Sequence, residues 1–212
     1  MNQPTLKPES GFFRARITLA YDGTNFFGWG KQSDRRTIQG ELENALFTLF
    51  QQRLETVVAG RTDAGVHASN QVCHVDLPEN DFTDIAYRLN RILGDEIRIK
   101  SVDRASDDFH ARFGALRRHY IYKIKDGNGF IEPTARLDIA PWYRDLDIDS
   151  MNEAAGTLIG ENDLVDDTTI HQDPDIYGGV IYLHPNPPKN SGTIFYDNNK
   201  AKKANTIFEK LI

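Results

Sequence analysis

The order in which two hydrophobic periodicities succeed one another along the N-terminal half confines this chain to very few folds. Arg14 to Tyr21 alternates strictly, with Ala15, Ile17, Leu19 and Tyr21 on one face and Arg14, Arg16 and Thr18 on the other, the pattern of a half-buried strand. Thr37 then caps a helix in which Ile38, Leu42, Ala45, Leu46 and Leu49 recur at helical spacing, with Glu41 and Glu43 near the positive end of its dipole. Glu55 to Ala59 is short, apolar and β-branched enough for a buried strand, and Gln71 to Leu77 sets Cys73, Val75 and Leu77 on one side of another. Thr83 is the expected cap of a second helix striped by Ile85, Leu89, Ile92 and Leu93, and Glu96 to Val102 follows with Ile97 and Ile99 alternating. Strand, helix, strand, strand, helix, strand is the split βαβ of the ferredoxin-like α+β class, an antiparallel sheet with two helices on one face.

Further along, Arg118 to Lys125 alternates Tyr120, Tyr122 and Ile124 against His119, Ile121 and Lys123, which predicts another strand. A last helix is expected to open with the capping box Ser150-Met151-Asn152-Glu153 and to close at Gly160. Beyond Gly160 the character changes: Glu161, Asp163, Asp166, Asp167, Asp173 and Asp175 fall close together with no Lys or Arg among them. Two short apolar runs, Ile176 to His184 and Thr193 to Tyr196, are separated by Pro185-Asn186-Pro187-Pro188, and a basic stretch runs from Lys200 to Ile212.

The candidate for chemistry is the string Gly60-Arg61-Thr62-Asp63-Ala64-Gly65-Val66-His67-Ala68. Gly60 ends the predicted strand, so the loop starts where a rigid element stops. Gly65 takes positive φ without steric cost, which lets the backbone fold back and hold Asp63 outward. Arg61 keeps its charge at any working pH and is placed to shield a carboxylate or to reach a phosphate. Read by itself, Thr62-Asp63-Ala64-Gly65 is also the composition of an Asx-turn, in which Asp63 would bond its own backbone.

At full length this string resembles the signature of the tRNA pseudouridine synthases of the TruA type. The resemblance continues through Arg16-Ile17-Thr18-Leu19-Ala20-Tyr21-Asp22-Gly23-Thr24, Phe27-Gly28-Trp29, Thr37-Ile38-Gln39-Gly40-Glu41-Leu42-Glu43 and Asp108-Phe109-His110-Ala111-Arg112-Phe113. It covers roughly residues 12 to 160; a small departure is Gly30, where the family usually has glutamine. The resemblance implies an N-terminal catalytic subdomain over residues 12–160, followed by a segment, 161–212, in which the family's second half is not recognisable and which is expected to be diverged, truncated or partly disordered. It implies an isomerase that converts uridine to pseudouridine in the tRNA anticodon stem-loop, at positions 38 to 40, working as a homodimer without metal or cofactor. Asp63 matches the catalytic nucleophile; an aspartate suits that role because its unperturbed pKa of about 3.9 leaves it ionised without a separate base. Tyr120 matches the tyrosine that packs against the flipped base, although Tyr122 on the same predicted face competes as the core member. Arg61 matches the residue that enters the space the base vacates, and Arg118 is a phosphate or base contact beside Tyr120.

Composition bounds the alternatives. A formal net charge of −6 has the wrong sign for a protein held to RNA by phosphates, so binding would rest on distribution: Arg35, Arg36, Arg88, Arg91, Arg112, Arg117, Arg118, Lys123 and Lys125 are the cations available to one face. A single cysteine, Cys73, excludes an intramolecular disulfide, and with no apolar stretch of membrane-spanning length and no leader the expectation is a soluble cytoplasmic protein. His67, His74 and Cys73 lack the paired spacing of a metal site, and His67 is expected to order the loop. Trp29 is either core or a platform for RNA. The rival from another class is a catalytically impaired RNA-binding remnant of such an enzyme; an RRM-type module lacks its basic-Gly-aromatic string here.

Overall fold

A computed structural model describes residues 7–79 and 83–156, in which the chain divides into two compact units, Met1–Ala115 and Leu116–Ile212. The first unit contains β1 (Phe12–Tyr21), α1 (Ile38–Phe50), β2 (Val57–Val58), β3 (Ala68–Pro78), α2 (Ile85–Ile92) and β4 (Ile97–Arg104). The sheet order is β2-β3-β1-β4 and every pairing is antiparallel. That is the arrangement the succession of periodicities predicts: each middle strand is joined through a helix to the outer strand on the far side of the other, β1 to β2 and β3 to β4, as a split βαβ requires.

Alternation on β1 does what the pattern demands. Ala15, Ile17 and Leu19 are fully buried and Tyr21 nearly so, and they share one core with Cys73, Val75 and Leu77 of β3, Ile97 and Ile99 of β4, Leu89 of α2 and Ile38, Leu42, Ala45 and Leu46 of α1. Both helices therefore bury apolar residues against the same sheet face, although Ile92 of the stripe expected on α2 is 40% exposed. Thr37 caps α1 as expected, in extended backbone with its hydroxyl accepting the Gly40 N–H. Glu41 sits in the first turn, but Glu43 is buried; its carboxylate accepts from Thr56 N at 3.0 Å, Gln39 Nε2 at 3.0 Å and Lys31 Nζ at 2.9 Å. A buried charge is tolerable only when partnered in this way.

The other sheet face is covered by the chain that follows β4. Arg14, only 3% exposed, forms a two-pronged pair with Asp76 at 2.5 and 3.1 Å and donates to the Phe109 carbonyl at 2.6 Å. His74 accepts the Ala111 N–H on Nδ1 at 3.0 Å, and its ring meets His110 edge-on at 4.8 Å between centroids. Residues 108–113 thus lie as a strap across β1 and β3.

Several expectations are corrected. The strand expected from 55 to 59 shortens to Val57–Val58, which pair with His74 and Cys73 of β3; just beyond them Ala59 N–H still donates to the Val72 carbonyl at 2.8 Å. Asp84, not Thr83, is the N-cap of α2; it stands at φ 60 and its side chain makes no capping bond. In the second unit the strand expected from Arg118 to Lys125 is reduced to β5 (Ile124–Lys125), which pairs in parallel with β6 (Ala140–Pro141). Alternation specifies a pleat but not a partner, and a proline-bearing neighbour ends the ladder early. Tyr122 is 61% exposed, so it is no core member. A short 3-10 helix (Pro133–Ala135) precedes α3 (Ile148–Gly156). Asp147 caps α3: its carboxylate accepts Ser150 N at 3.0 Å and the Ser150 hydroxyl at 2.7 Å, so Ser150 lies inside the helix that it was expected to open. The expected end at Gly160 and all readings of residues 161–212 lie outside the described residues.

Candidate active site

β2 and β3 leave a connection that carries Asp63, and backbone bonds from two other segments hold it in shape. Trp29 N–H donates to the Thr62 carbonyl at 2.9 Å, and Gly65 N–H donates to the Phe26 carbonyl at 3.2 Å. Val66 N–H closes a turn on the Asp63 carbonyl at 3.2 Å, with Gly65 at φ +80 in its third position, a value that an L side chain resists. The fit to the β1–α1 connection is close. A Cβ on Gly23 would lie 2.0 Å from the Val66 carbonyl oxygen, and one on Gly28, itself at φ +84, would lie 2.7 Å from that of Thr62.

Side chains tie the two ends of the loop. The Tyr21 and Thr62 hydroxyls are 2.8 Å apart, and Gln71 Nε2 donates to the Tyr21 hydroxyl at 3.2 Å and to the Gly60 carbonyl at 2.9 Å. At the far end His67 Nδ1 lies 3.0 Å from Asp22 Oδ1 and 3.3 Å from Gly23 N. One ring nitrogen carries either a proton or a lone pair, so it serves one of these at a time, and the carboxylate is the nearer. Asp22 is further engaged by the Thr24 hydroxyl and N–H, which, with His67 beside it, hold its carboxyl below the usual range. His67 therefore orders the loop, as its place in the string suggests.

All of this bonding uses the backbone and the neighbours of Asp63, and none of it uses the Asp63 carboxylate. Asp63 is exposed and among the described residues its side chain makes no hydrogen bond or ion pair, which removes the Asx-turn reading. Arg61 is exposed as well. The two line one open depression of about 380 Å³, together with Phe27 to Gln32, Gln39, Thr62 and Ala64. Gln39 and Glu43 hold its wall: Gln39 Oε1 accepts Lys31 N at 3.1 Å, while its amide donates to Glu43 and to the Thr56 carbonyl, each at 3.0 Å. These two residues were legible only as helix positions, and no pattern in the sequence marks them as buttresses of the loop. Trp29 is core, 1% exposed, and packs against Tyr21 with centroids 6.0 Å apart. Gly30 is not sterically required, since a Cβ there would meet Arg61 at an ordinary 3.8 Å.

Tyr120 and Arg118 lie in the second unit, outside any strand, with Tyr120 49% exposed. Of the cations expected to form a basic face, two are already spent on carboxylates: Arg36 on Glu41 at 3.2 Å and Glu96 at 2.7 Å, and Lys123 on Asp138.

Residues 17–114 match the sequence profile of tRNA pseudouridine synthase, a span that closes beside Ala115, where the first unit ends. The tRNA pseudouridine synthase A of Streptomyces griseus is 46% identical over 161 residues, covering 73% of this chain and 57% of its own length. That of Corynebacterium glutamicum is 44% identical over 163 residues, covering 72% and 56%, and that of Bartonella quintana is 41% identical over 163 residues, covering 74% and 65%. The chain spans somewhat over half the length of the first two of these relatives. With the GRTDAGVHA loop held on a split βαβ sheet and this degree of identity across the segment that builds it, the chain is similar over that segment to the tRNA pseudouridine synthases of the TruA type.

Proposed function

We propose that this chain isomerises uridine to pseudouridine in the anticodon stem-loop of tRNA, at positions 38 to 40, with Asp63 as the nucleophile. The observation that carries the reading is an aspartate held at a fixed position by its neighbours' hydrogen bonds while its own carboxylate has no partner among the described residues. A nucleophile has to be placed and unspent, and this one is both. The reaction breaks the bond from C1′ to N1, turns the uracil and joins C1′ to C5, whose hydrogen leaves as a proton; substrate and product have the same atoms, and no redox step occurs.

The target uridine has to leave its stack before Asp63 can reach it, at a cost of a few kcal/mol. Tyr120, which is 49% exposed, supplies the compensating surface in this reading, by stacking worth about 1–3 kcal/mol. Arg61 occupies the space the base leaves, and Arg118 contacts phosphate or base beside Tyr120. Residues 12–160 form the N-terminal catalytic subdomain of a cytoplasmic homodimer; the family likeness supports this part, and among the described residues no helix is long and apolar enough to cross a membrane.

Mapping pseudouridine in tRNA incubated with the parent chain and with Asp63→Asn tests the proposal. The parent is expected to modify the anticodon stem-loop. The isosteric variant should not, while keeping its fold and its affinity for RNA. Turnover by Asp63→Asn within about tenfold of the parent removes Asp63 from the nucleophile's role. A parent chain that binds tRNA and modifies nothing is instead the RNA-binding remnant.

A further inference from the structure

The connection between β1 and α1 presents one aromatic ring to solvent at the rim of the Asp63 depression. Phe27 is 49% exposed, although its backbone is fixed: its N–H donates to the Arg36 carbonyl at 2.9 Å and its carbonyl accepts from Gln32 Nε2 at 3.0 Å. A rigidly held phenylalanine left half in water gains nothing for the core. The guanidinium of Arg35 lies over its ring, 4.9 Å from the centroid.

The cations of this connection differ in what they have left to give. Lys31 is paired with Glu43 at 2.9 Å, and Arg36 with Glu41 and Glu96. Arg35 is exposed and meets no carboxylate among the described residues; the Phe27 ring is its partner. An arginine stacked on an aromatic ring keeps its in-plane N–H donors free for a phosphate, and the ring and guanidinium together give flat surfaces on which a base stacks whatever its identity.

We propose that Phe27 and Arg35 form a second nucleotide position, which takes a nucleotide flanking the target uridine, its base stacked on Phe27 and its phosphate paired with Arg35. The inference rests on the reading of this chain as a tRNA-modifying enzyme and adds a part of the RNA beyond the reacting uridine. Both residues lie on the same unit as Asp63, and Phe27 lines the depression that contains it. A nucleotide held there would fix the strand next to the reacting base and help to keep that base out of its stack.

The test is equilibrium binding of the full chain to a fluorescently labelled RNA anticodon stem-loop, read by anisotropy across a salt series. Phe27→Ala should weaken binding by about 5- to 150-fold, the size of one base–aromatic stack, without changing the salt dependence. Phe27→Tyr should bind within about twofold of the parent. Arg35→Ala should weaken binding and flatten the plot of log affinity against log salt by about 0.7 to 0.9, the contribution of one phosphate contact. The proposal needs both effects, so parent-like affinity in either alanine variant overturns it, as does a parent chain that leaves the stem-loop unbound. If these differences hold in a chain that forms no pseudouridine, the catalytic reading falls and this one stands.

Discussion

Acidification should loosen the first unit through His74, and the size of the effect follows from its surroundings. The ring is 6% exposed and accepts the Ala111 N–H on Nδ1, so it folds in the neutral form. Burial, then the neighbouring Arg14 guanidinium, then His110 press its pKa down from 6.5 to about 4, and Asp76 opposes them only in part. The unfolded chain therefore binds a proton in a pH range where the folded chain does not. The stabilisation is complete above about pH 6.5 and is lost as pH falls toward 4, for a total of about 3 kcal/mol. Urea unfolding of the Trp142→Phe chain, followed by the fluorescence of the buried Trp29, reads this directly at pH 7, 6, 5 and 4. His74→Asn keeps an oxygen acceptor for the Ala111 N–H but carries no titrating group. Its stability should fall less between pH 7 and 4 than the parent's, by about 3 kcal/mol. Equal pH dependence in the two proteins refutes the reasoning, because all other titrating groups are shared.

Two other substitutions probe the placement of catalytic parts. Gly23→Ala forces a Cβ to within 2.0 Å of the Val66 carbonyl oxygen, so it should displace the Asp63 loop and cut single-turnover modification by more than about tenfold; parent-like rates would mean that the loop does not depend on this contact. Tyr120→Ala should lose productive binding worth about 1–3 kcal/mol in the same assay while Tyr120→Phe retains it, and equal rates for the two would take Tyr120 out of the stacking role.

What could be read without coordinates was whatever a single chain segment decides for itself. The alternation of β1 and the Thr37 cap of α1 are local, and the order of elements left the ferredoxin-like sheet as the natural outcome. Features that depend on a partner were not legible. Tyr120 to Ile124 alternates as a strand should, yet among the described residues a ladder forms only at Ile124 and Lys125, with an isolated bridge at Ile121. At α3 both Asp147 and Ser150 are capping types, and the bond between them, not their composition, decides which one caps. The same division holds at the site. Arg61 and Asp63 share a depression because they share a loop, whereas the contacts of the Gln39–Glu43 helix pair with Thr56, and the Phe27–Arg35 stack, join residues that no periodicity links. His74 was considered only as a metal ligand, although its function in the fold is to accept a backbone N–H from a strap 37 residues away.

The most direct test follows hydrogen at C5 of uracil, the atom that must give up its proton when C1′ is rejoined there. Transfer RNA made with tritium at C5 of its uridines, incubated with the parent chain, should release tritium to water in proportion to the pseudouridine formed in the anticodon stem-loop. Asp63→Asn, bound to the same RNA with unchanged affinity, should release none above background. Release by Asp63→Asn at a rate close to the parent's, or no release by a parent chain that binds the RNA, would contradict the account.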